Sequence, residues 1–262
     1  MSDGLVGYDV TEHVATLTLQ RPEALNALSD AMLAALKHAF ERLAEDRRAR
    51  VAILKGAGKA FCAGHDLKEM QAGRAASDGG AHYFADLFGR CSEVMQMIPT
   101  LPQPVIAQIH GIATAAGCQL VASCDMAVAA RDARFGVNGV NIGLFCSTPM
   151  VALTRAIPRK AAFEMLTTGE FIGADRACEL GLINRTAAPE DLAQETFDLA
   201  RTVAGKLTAA VGIGKRAFYD QVELPLAKAY ELTGQVMVEN MLLRDTNEGI
   251  TAFIEKRRPD WA

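Results

Sequence analysis

The first half of the chain carries short apolar segments that predict strands separated by helices. Residues 14–20, VATLTLQ, alternate between apolar and polar positions as a half-buried strand does, and a shorter strand candidate precedes them. Three further apolar runs predict strands that are covered on both faces: 51–56, 104–111 and 125–130. Ser29 is typical of a residue that caps a helix start, and its helix is expected to run to about Arg47. The alternation favours βαβ-type units of an α/β protein.

The second half of the chain is mainly helical in pattern. A helix is expected over roughly 81–98, the glycine-containing stretch 132–149 is expected to be irregular, and helices follow from Arg159 onward. We therefore predict a mixed core over 1–195 and a helical segment over 196–262. The apolar faces of this segment need cover, which exchange between subunits would supply.

Composition narrows the class of protein. Of the 262 residues, half are hydrophobic and 22% are charged, and the net charge of −4 disfavours nucleic acid as a partner. The six cysteines lack the spacing of metal ligands, so we expect no metal site, no structural disulfide and a reducing compartment. No stretch is long and apolar enough for a membrane span, and the first ten residues do not have the pattern of a targeting segment. We expect a soluble, cytoplasmic protein.

Two loops of small residues are the candidate site. FCAGHD (61–66) and TAAGCQ (114–119) each follow a predicted strand and lead into a predicted helix. Small residues let a ligand approach the backbone closely, and free N–H groups at a helix start favour an anionic or polarised oxygen. If the loops converge, their N–H groups would form a two-donor pocket for a developing oxyanion. Tight packing of a buried helix is the alternative interpretation.

Several ordered motifs resemble the crotonase family of enoyl-CoA hydratases and isomerases. They are RPEALNALS, FCAGHDLKEM, PVIAQIHGIATAAGCQLVASCDMAVAA, RFGVNGVNIGL and EGITAFIEKRRPDW. The resemblance extends from about Tyr8 to Trp261, and GHDLKE, TAAGCQLVASCD and GVNIGLFCSTP are similar to one branch in particular. It implies a spiral of ββα units with a C-terminal helical trimerisation segment, assembled as a homotrimer or hexamer. It also implies an acyl-CoA thioester as ligand, with coenzyme A as part of the substrate and no separate cofactor.

The resemblance also implies particular site residues. The thioester oxygen would lie between the backbone N–H groups of Ala63 and Ala116. Other matched positions are Gly64, His65 and Asp66 beside the bound CoA, Ala24 and Leu25 along its adenine and pantetheine path, and Phe253 and Lys256 towards a neighbouring subunit's CoA.

Two positions depart from the family's hydratases, which use a pair of glutamates. Gln119 stands at the first position and Gly139 at the second. A carboxamide can form hydrogen bonds but does not exchange a proton near neutral pH, and glycine supplies no side chain. We expect weak or undetectable hydration of an enoyl thioester, and a gain in activity when both positions are changed to glutamate.

Three functions stay open on the sequence. The chain could be an acyl-CoA enzyme whose reaction does not need both glutamates, a non-catalytic acyl-CoA-binding protein, or an interaction protein on the same fold. His65 and Asp66 could form a proton-transfer pair, although Asp66 equally suits a helix cap. Cys146 precedes a predicted helix but has no evident base beside it.

Overall fold

Nine strands and eleven α-helices make up residues 4–261, the part of the chain that the computed structural model describes. The strands are β1 (Val6–Thr11), β2 (Val14–Leu19), β3 (Val51–Gly56), β4 (Val105–Ile109), β5 (Ile112–Thr114), β6 (Met126–Ala130), β7 (Arg134–Gly136), β8 (Ile172–Gly173) and β9 (Arg185–Ala187). The helices are α1 (Asp30–Glu45), α2 (Leu67–Gly73), α3 (Ala81–Thr100), α4 (Ala116–Ser123), α5 (Ser147–Ala156), α6 (Arg159–Thr168), α7 (Ala174–Leu180), α8 (Leu192–Ala204), α9 (Thr208–Val222), α10 (Leu226–Met241) and α11 (Arg244–Ile254). Two short 3-10 turns cover Pro22–Ala24 and Asn138–Ile142.

The larger sheet has six strands in the order β1-β2-β3-β4-β6-β9. Only β1 runs antiparallel to its neighbour, and the other pairs are parallel. The apolar runs of β3, β4 and β6 are almost entirely buried, as expected for parallel strands covered on both faces. Helix α8 packs against β2, β3, β4, β6 and β9. The predicted α/β class is confirmed.

A second layer of short strands runs beside the larger sheet and positions the site. Strands β5, β7 and β8 form a three-stranded sheet, and isolated parallel bridges join Cys62 to Ala113 and Leu28 to His65. From β4 to β7 the chain passes through a long strand, a short strand and a helix before it repeats the two strands. This is the spiral of ββα units that the sequence resemblance implies.

The structure differs from the sequence prediction in three places. The predicted strand 104–111 ends at Ile109, because Gly111 takes a left-handed φ of +61° and β5 follows as a separate strand. The stretch expected to be irregular contains β7, the second 3-10 turn and the start of α5. The proposed boundary after residue 195 falls inside α8, so the helical end beyond the sheet begins with α9.

A buried ion pair attaches α9 to the core. Lys215 Nζ lies 2.7 Å from a carboxylate oxygen of Asp125 and also donates to the carbonyls of Ile98 and Gln103. The Tyr219 hydroxyl donates to the other oxygen of Asp125 at 2.8 Å. Asp125 directly precedes β6 and also accepts from the Val105 N–H at the start of β4, so it joins β6 to β4 and to α9.

Candidate active site

The two loops of small residues lie side by side, which meets the condition that the sequence analysis set for a shared pocket. The Cys62 N–H donates to the carbonyl of Ile112, and the Thr114 N–H donates back to the carbonyl of Cys62. Gly64 has a φ of +87°, and a Cβ on it would lie 3.0 Å from the Thr114 oxygen and 3.3 Å from the Ala116 nitrogen. Glycine at this position therefore lets the first loop pass directly over the start of α4.

The available N–H groups differ from those that the resemblance implies. The Ala63 N–H donates to the carbonyl of Leu25 at 3.0 Å, so it is not free to bind a ligand oxygen. Within residues 4–261, neither the His65 N–H nor the Ala116 N–H has a hydrogen-bond acceptor. The free donor of the first loop is therefore the His65 N–H and not the expected Ala63 N–H. Ala116 keeps its expected place because it is the first residue of α4, where N–H groups have no intrahelical partner.

Ala115 holds the second loop in a strained conformation. Its φ of 49° and ψ of −120° are unusual for a residue with a side chain, and it caps α4 without any side-chain hydrogen bond. Its carbonyl accepts from the Gln119 N–H, and its N–H donates to Gly136 of β7. Such strain costs about 1–3 kcal/mol and is often found at functional sites. Here the turn leaves the Ala116 N–H without an acceptor.

A cavity of about 340 Å³ opens beside these N–H groups. Its wall consists of Ala63, His65, Leu67, Met70, Phe88, Thr114, Ala115, Ala116, Asn138, Gly139, Asn141, Ile142, Leu144, Phe145, Cys146, Ser147, Thr148 and Pro149. Among the residues that the structure describes, no aspartate or glutamate lines this cavity. The wall is apolar over much of its area, with a small number of uncharged polar groups, which is typical of a small-molecule site.

Neither replaced glutamate position presents a proton donor to the cavity. Gln119 is only 5% exposed and is not part of the wall, and its side-chain oxygen has no hydrogen-bond partner. Gly139 forms part of the wall through its backbone. A Cβ at Gly139 would overlap the Leu144 carbonyl oxygen and lie 2.9 Å from Cys146 Sγ. The backbone of the following loop therefore occupies the space that a side chain would need.

Of the two interpretations of Asp66 left open by the sequence, the proton-transfer pair with His65 does not form. Asp66 caps α2 by accepting from the Lys68 N–H at 2.9 Å, and it makes a 2.9 Å ion pair with Arg21. Burial opposes ionisation of Asp66, but these hydrogen bonds outweigh it and lower the carboxyl pKa. The carboxylate is thus fully engaged away from the imidazole. The alternative interpretation of Asp66 as a helix cap is the one that the structure supports.

The His65 side chain lines the cavity alone. Its ring packs edge-on against Phe88 at a centroid distance of 5.7 Å, and neither ring nitrogen has a hydrogen-bond partner. Burial lowers the pKa of His65, and this effect outweighs the Leu28 backbone and the Asp30 carboxylate, which both favour the protonated ring. The imidazole is therefore neutral at pH 7.

The other predicted ligand contacts lie outside the cavity wall. Ala24 ends the first 3-10 turn, and the carbonyl of Leu25 ties that turn to the first loop through the Ala63 N–H. Phe253 lies on α11 and is 85% exposed, and Lys256 follows that helix with a φ of 54°. In a single copy of the chain neither one is part of the cavity. Their expected role requires a neighbouring subunit.

Two asparagines at the site are missed by the sequence analysis. Asn26 is fully buried, accepts from the Arg21 N–H, and donates to the carbonyls of Ala57 and Ala60, so it fixes the segment before the first loop. Asn138 accepts a hydrogen bond from the Thr114 hydroxyl, and both residues line the cavity. The position of Asn26 in RPEALNALS could have drawn attention to it, whereas Asn138 lies in a stretch without periodicity.

Cys146 does not have the surroundings of a nucleophile. It precedes α5 as the capping residue, with Ser147 as the first residue of that helix. Burial raises the pKa of the Cys146 thiol, which keeps it protonated at neutral pH. No group of three or more histidine, cysteine, aspartate or glutamate residues in 4–261 is arranged to hold a metal ion.

Comparison with known proteins identifies the class to which this fold and site belong. The family model described as enoyl-CoA hydratase/isomerase matches residues 9–262, and the chain belongs to that family. Within it, the chain is 47% identical to human enoyl-CoA hydratase domain-containing protein 3, over 95% of this chain and 80% of the human protein. The crystal structure of that human protein has a TM-score of 0.93 with 45% identity, and covers 98% of this chain and 100% of its own. The crystal structure of an enoyl-CoA hydratase from Mycobacterium smegmatis has a TM-score of 0.94 with 55% identity, and covers 99% of each chain.

The descriptions of these relatives show that the expected cytoplasmic location is wrong. The rat, human, mouse and Xenopus laevis proteins of this branch are all described as mitochondrial, which contradicts the cytoplasmic expectation. Free thiols argue against an oxidising compartment but do not distinguish one reducing compartment from another. Separately, none of the helices in the described part of the chain has the length and hydropathy to cross a membrane.

Proposed function

We propose that this protein binds an acyl-CoA thioester and holds its carbonyl oxygen between the backbone N–H groups of His65 and Ala116. The observation that carries the proposal is that these two N–H groups lack acceptors on adjoining loops beside one cavity, whereas the N–H of Ala63 is engaged. A pair of fixed N–H donors suits a carbonyl oxygen that gains negative charge. The family to which the chain belongs supports coenzyme A as the carrier of that carbonyl.

Polarisation of the carbonyl would acidify the carbon next to it and stabilise an enolate. Each such donor is worth about 10²–10³ in rate where the enolate is formed. Addition of water needs, in addition, groups that remove and deliver protons, and general acid–base groups contribute about 10²–10⁴. The absence of carboxylates from the described cavity wall therefore favours an activity other than efficient hydration.

The alternative function is acyl-CoA binding without turnover. The observation that favours it is the pair of replaced positions, Gln119 and Gly139, of which the first lies outside the wall and the second has no room for a side chain. A role as an interaction protein without a ligand is less well supported, because an interaction protein has no need for a strained turn that leaves an N–H group free beside a cavity.

We also propose a homotrimer or hexamer. Helices α10 and α11 expose large apolar side chains, among them Met237, Leu242, Phe253 and Ile254. Apolar surface of this extent is typical of a subunit contact. In such an assembly Phe253 and Lys256 would lie against the CoA of a neighbouring subunit.

Calorimetry with a short-chain and a long-chain acyl-CoA tests the proposed binding. Ala116→Pro removes one proposed donor, and proline is tolerated at the first position of a helix. Thr208→Pro is the matched control, because Thr208 is the exposed first residue of α9 and lies outside the cavity. We expect both acyl-CoA compounds to bind the native protein and the Thr208→Pro protein with similar affinity. They should bind Ala116→Pro about two- to tenfold more weakly, since a neutral hydrogen bond contributes about 0.5–1.5 kcal/mol. No heat with either ligand would contradict the proposal.

A further inference from the structure

The unpaired imidazole of His65 is an energetic anomaly in this structure. Both ring nitrogens are buried and lack hydrogen-bond partners, and the ring rests against Phe88 on a largely apolar wall. A buried polar group without a partner costs about 1–3 kcal/mol, and proteins satisfy most such groups. An imidazole nitrogen that has no partner beside a cavity is free to act on a ligand that enters it.

The charged groups around His65 do not supply its ring with a hydrogen-bond partner. The charges that act on the ring are those of Asp30 on α1 and Arg90 on α3, which are paired with each other at 2.8 Å. Arg90 is also paired with Asp86, and Asp66 in the neighbouring position is held by Arg21. The only other titratable side chain on the cavity wall, within the described residues, is the protonated thiol of Cys146. His65 is therefore the one side chain there that can take up and release a proton near neutral pH.

We propose that the His65 imidazole is the proton-transfer group of this site and moves a proton between carbons of the bound acyl chain. The inference rests on the proposed function, because the thioester oxygen must be held by the N–H groups of His65 and Ala116 for the reaction to proceed. The backbone N–H of His65 thus binds the thioester oxygen, and its imidazole exchanges a proton with the carbon chain. The reaction class is a double-bond shift in a 3-enoyl thioester.

The step balances without any further reactant. An unprotonated ring nitrogen takes a proton from the carbon next to the thioester, so that a C–H bond breaks and an N–H bond forms. The electron pair moves into a dienolate whose negative oxygen accepts from the two backbone N–H groups. The imidazolium then returns the proton to the carbon two positions further along, and the double bond comes to lie beside the carbonyl. The imidazole ends in its starting state.

The surroundings of His65 suit this task. Burial keeps the imidazole in its neutral form at pH 7, so it is ready to accept a proton. The apolar wall limits competing access of water to the dienolate. A glutamate on the opposite wall is not required, because one group removes and returns the proton.

The test follows the double-bond shift of a 3-enoyl-CoA by absorbance, and the uptake of deuterium from heavy water into a saturated acyl-CoA by NMR. The native protein is compared with His65→Gln and with the matched control His82→Gln, whose histidine is exposed on α3 outside the cavity. We expect His65→Gln to lose about 10²–10⁴-fold in both rates and His82→Gln to lose none. Acyl-CoA binding by calorimetry should be retained in all three proteins. Added imidazole should restore part of the activity to His65→Ala.

The pH dependence of kcat/KM distinguishes proton transfer by His65 from a purely structural role of that residue. With the native protein, kcat/KM should rise with pH and level off below pH 7, because the reactive form is the neutral imidazole. Binding of acyl-CoA without deuterium uptake by the native protein would overturn the inference and leave the proposed function standing. Rates in His65→Gln within about threefold of native would overturn it as well, since a lost proton-transfer group costs far more. Failure to bind any acyl-CoA would overturn both proposals.

Discussion

Gly139 provides a direct test of whether the second glutamate position is closed by the fold. Gly139→Ala adds one Cβ that would overlap the Leu144 carbonyl oxygen and approach Cys146 Sγ to 2.9 Å. Ordinary contacts of a Cβ lie at 3.4–4 Å. The loop cannot simply move aside, because the Leu144 N–H donates to the Gly139 carbonyl at 3.0 Å.

The expected cost of this single methyl group is about 1–3 kcal/mol, the usual range for overpacking a filled site. For a domain of this size about 2–4 °C of melting temperature corresponds to each kcal/mol, so we expect a fall of about 2–12 °C. Urea denaturation followed by circular dichroism measures the free energy of unfolding. The matched control is Gly89→Ala on α3, whose Cβ would meet no atom within 4 Å. That control should be stabilised by about 0.5–1 kcal/mol, as alanine is in a helix.

The consequence for activity reverses an expectation from the sequence. Gly139→Glu would have to displace the 144–146 segment that forms part of the cavity wall, so adding both glutamates should not create an efficient hydratase. We expect hydration of crotonyl-CoA by the native protein and by the Gln119→Glu, Gly139→Glu double variant to stay far below the ~10 per second of ordinary enzymes. A Gly139→Ala protein as stable as native, or a double variant with ordinary turnover, would refute this reasoning.

Three further predictions follow from the contacts described above. Lys215→Met should lower the free energy of unfolding by about 3–5 kcal/mol, since it leaves the Asp125 carboxylate buried without its cation. In the same urea titration Tyr219→Phe should cost about 1.5–3 kcal/mol, since it removes one hydrogen bond to that carboxylate. Burial in the neutral form lowers the pKa of His65, so the native protein should lose stability relative to His65→Gln as the pH falls below about 6.5. The loss should be about 1.4 kcal/mol for each unit by which the pKa is lowered. If the free energies of unfolding of the two proteins depend on pH in the same way, the burial of His65 is contradicted. Light scattering should find a trimer or hexamer that Phe253→Asp weakens, and a monomeric native protein would contradict the proposed assembly.

Elements with a strong local signal could be predicted from the sequence. The strand at 14–19 has a clear period of two, and the α1 start at Ser29 has the expected capping hydrogen bond from the Met32 N–H. The short strands β5, β7 and β8 could not be predicted in this way. They have three residues or fewer and exist because a neighbouring turn of the spiral supplies their hydrogen-bond partners.

The candidate site could be predicted at the level of loops but not of atoms. Small residues and the position after a strand identify both loops, and these loops do meet. Which N–H group is free depends on distant contacts, such as the hydrogen bond from Ala63 to the Leu25 carbonyl, which no local pattern records. The same limit applies to Gly139, since the sequence reports a missing side chain but not the carbonyl of Leu144 that occupies its space.

The vibrational frequency of a bound thioester carbonyl tests the central claim most directly. An isotope-labelled carbonyl in a saturated acyl-CoA can be followed by difference infrared spectroscopy in the native, Ala116→Pro and Thr208→Pro proteins. If the oxygen accepts from the His65 and Ala116 N–H groups, its stretching frequency should fall below the value in water in the native and Thr208→Pro proteins. It should recover towards the value in water when Ala116→Pro removes one donor. A bound carbonyl with the same frequency in all three proteins and in water would contradict the account.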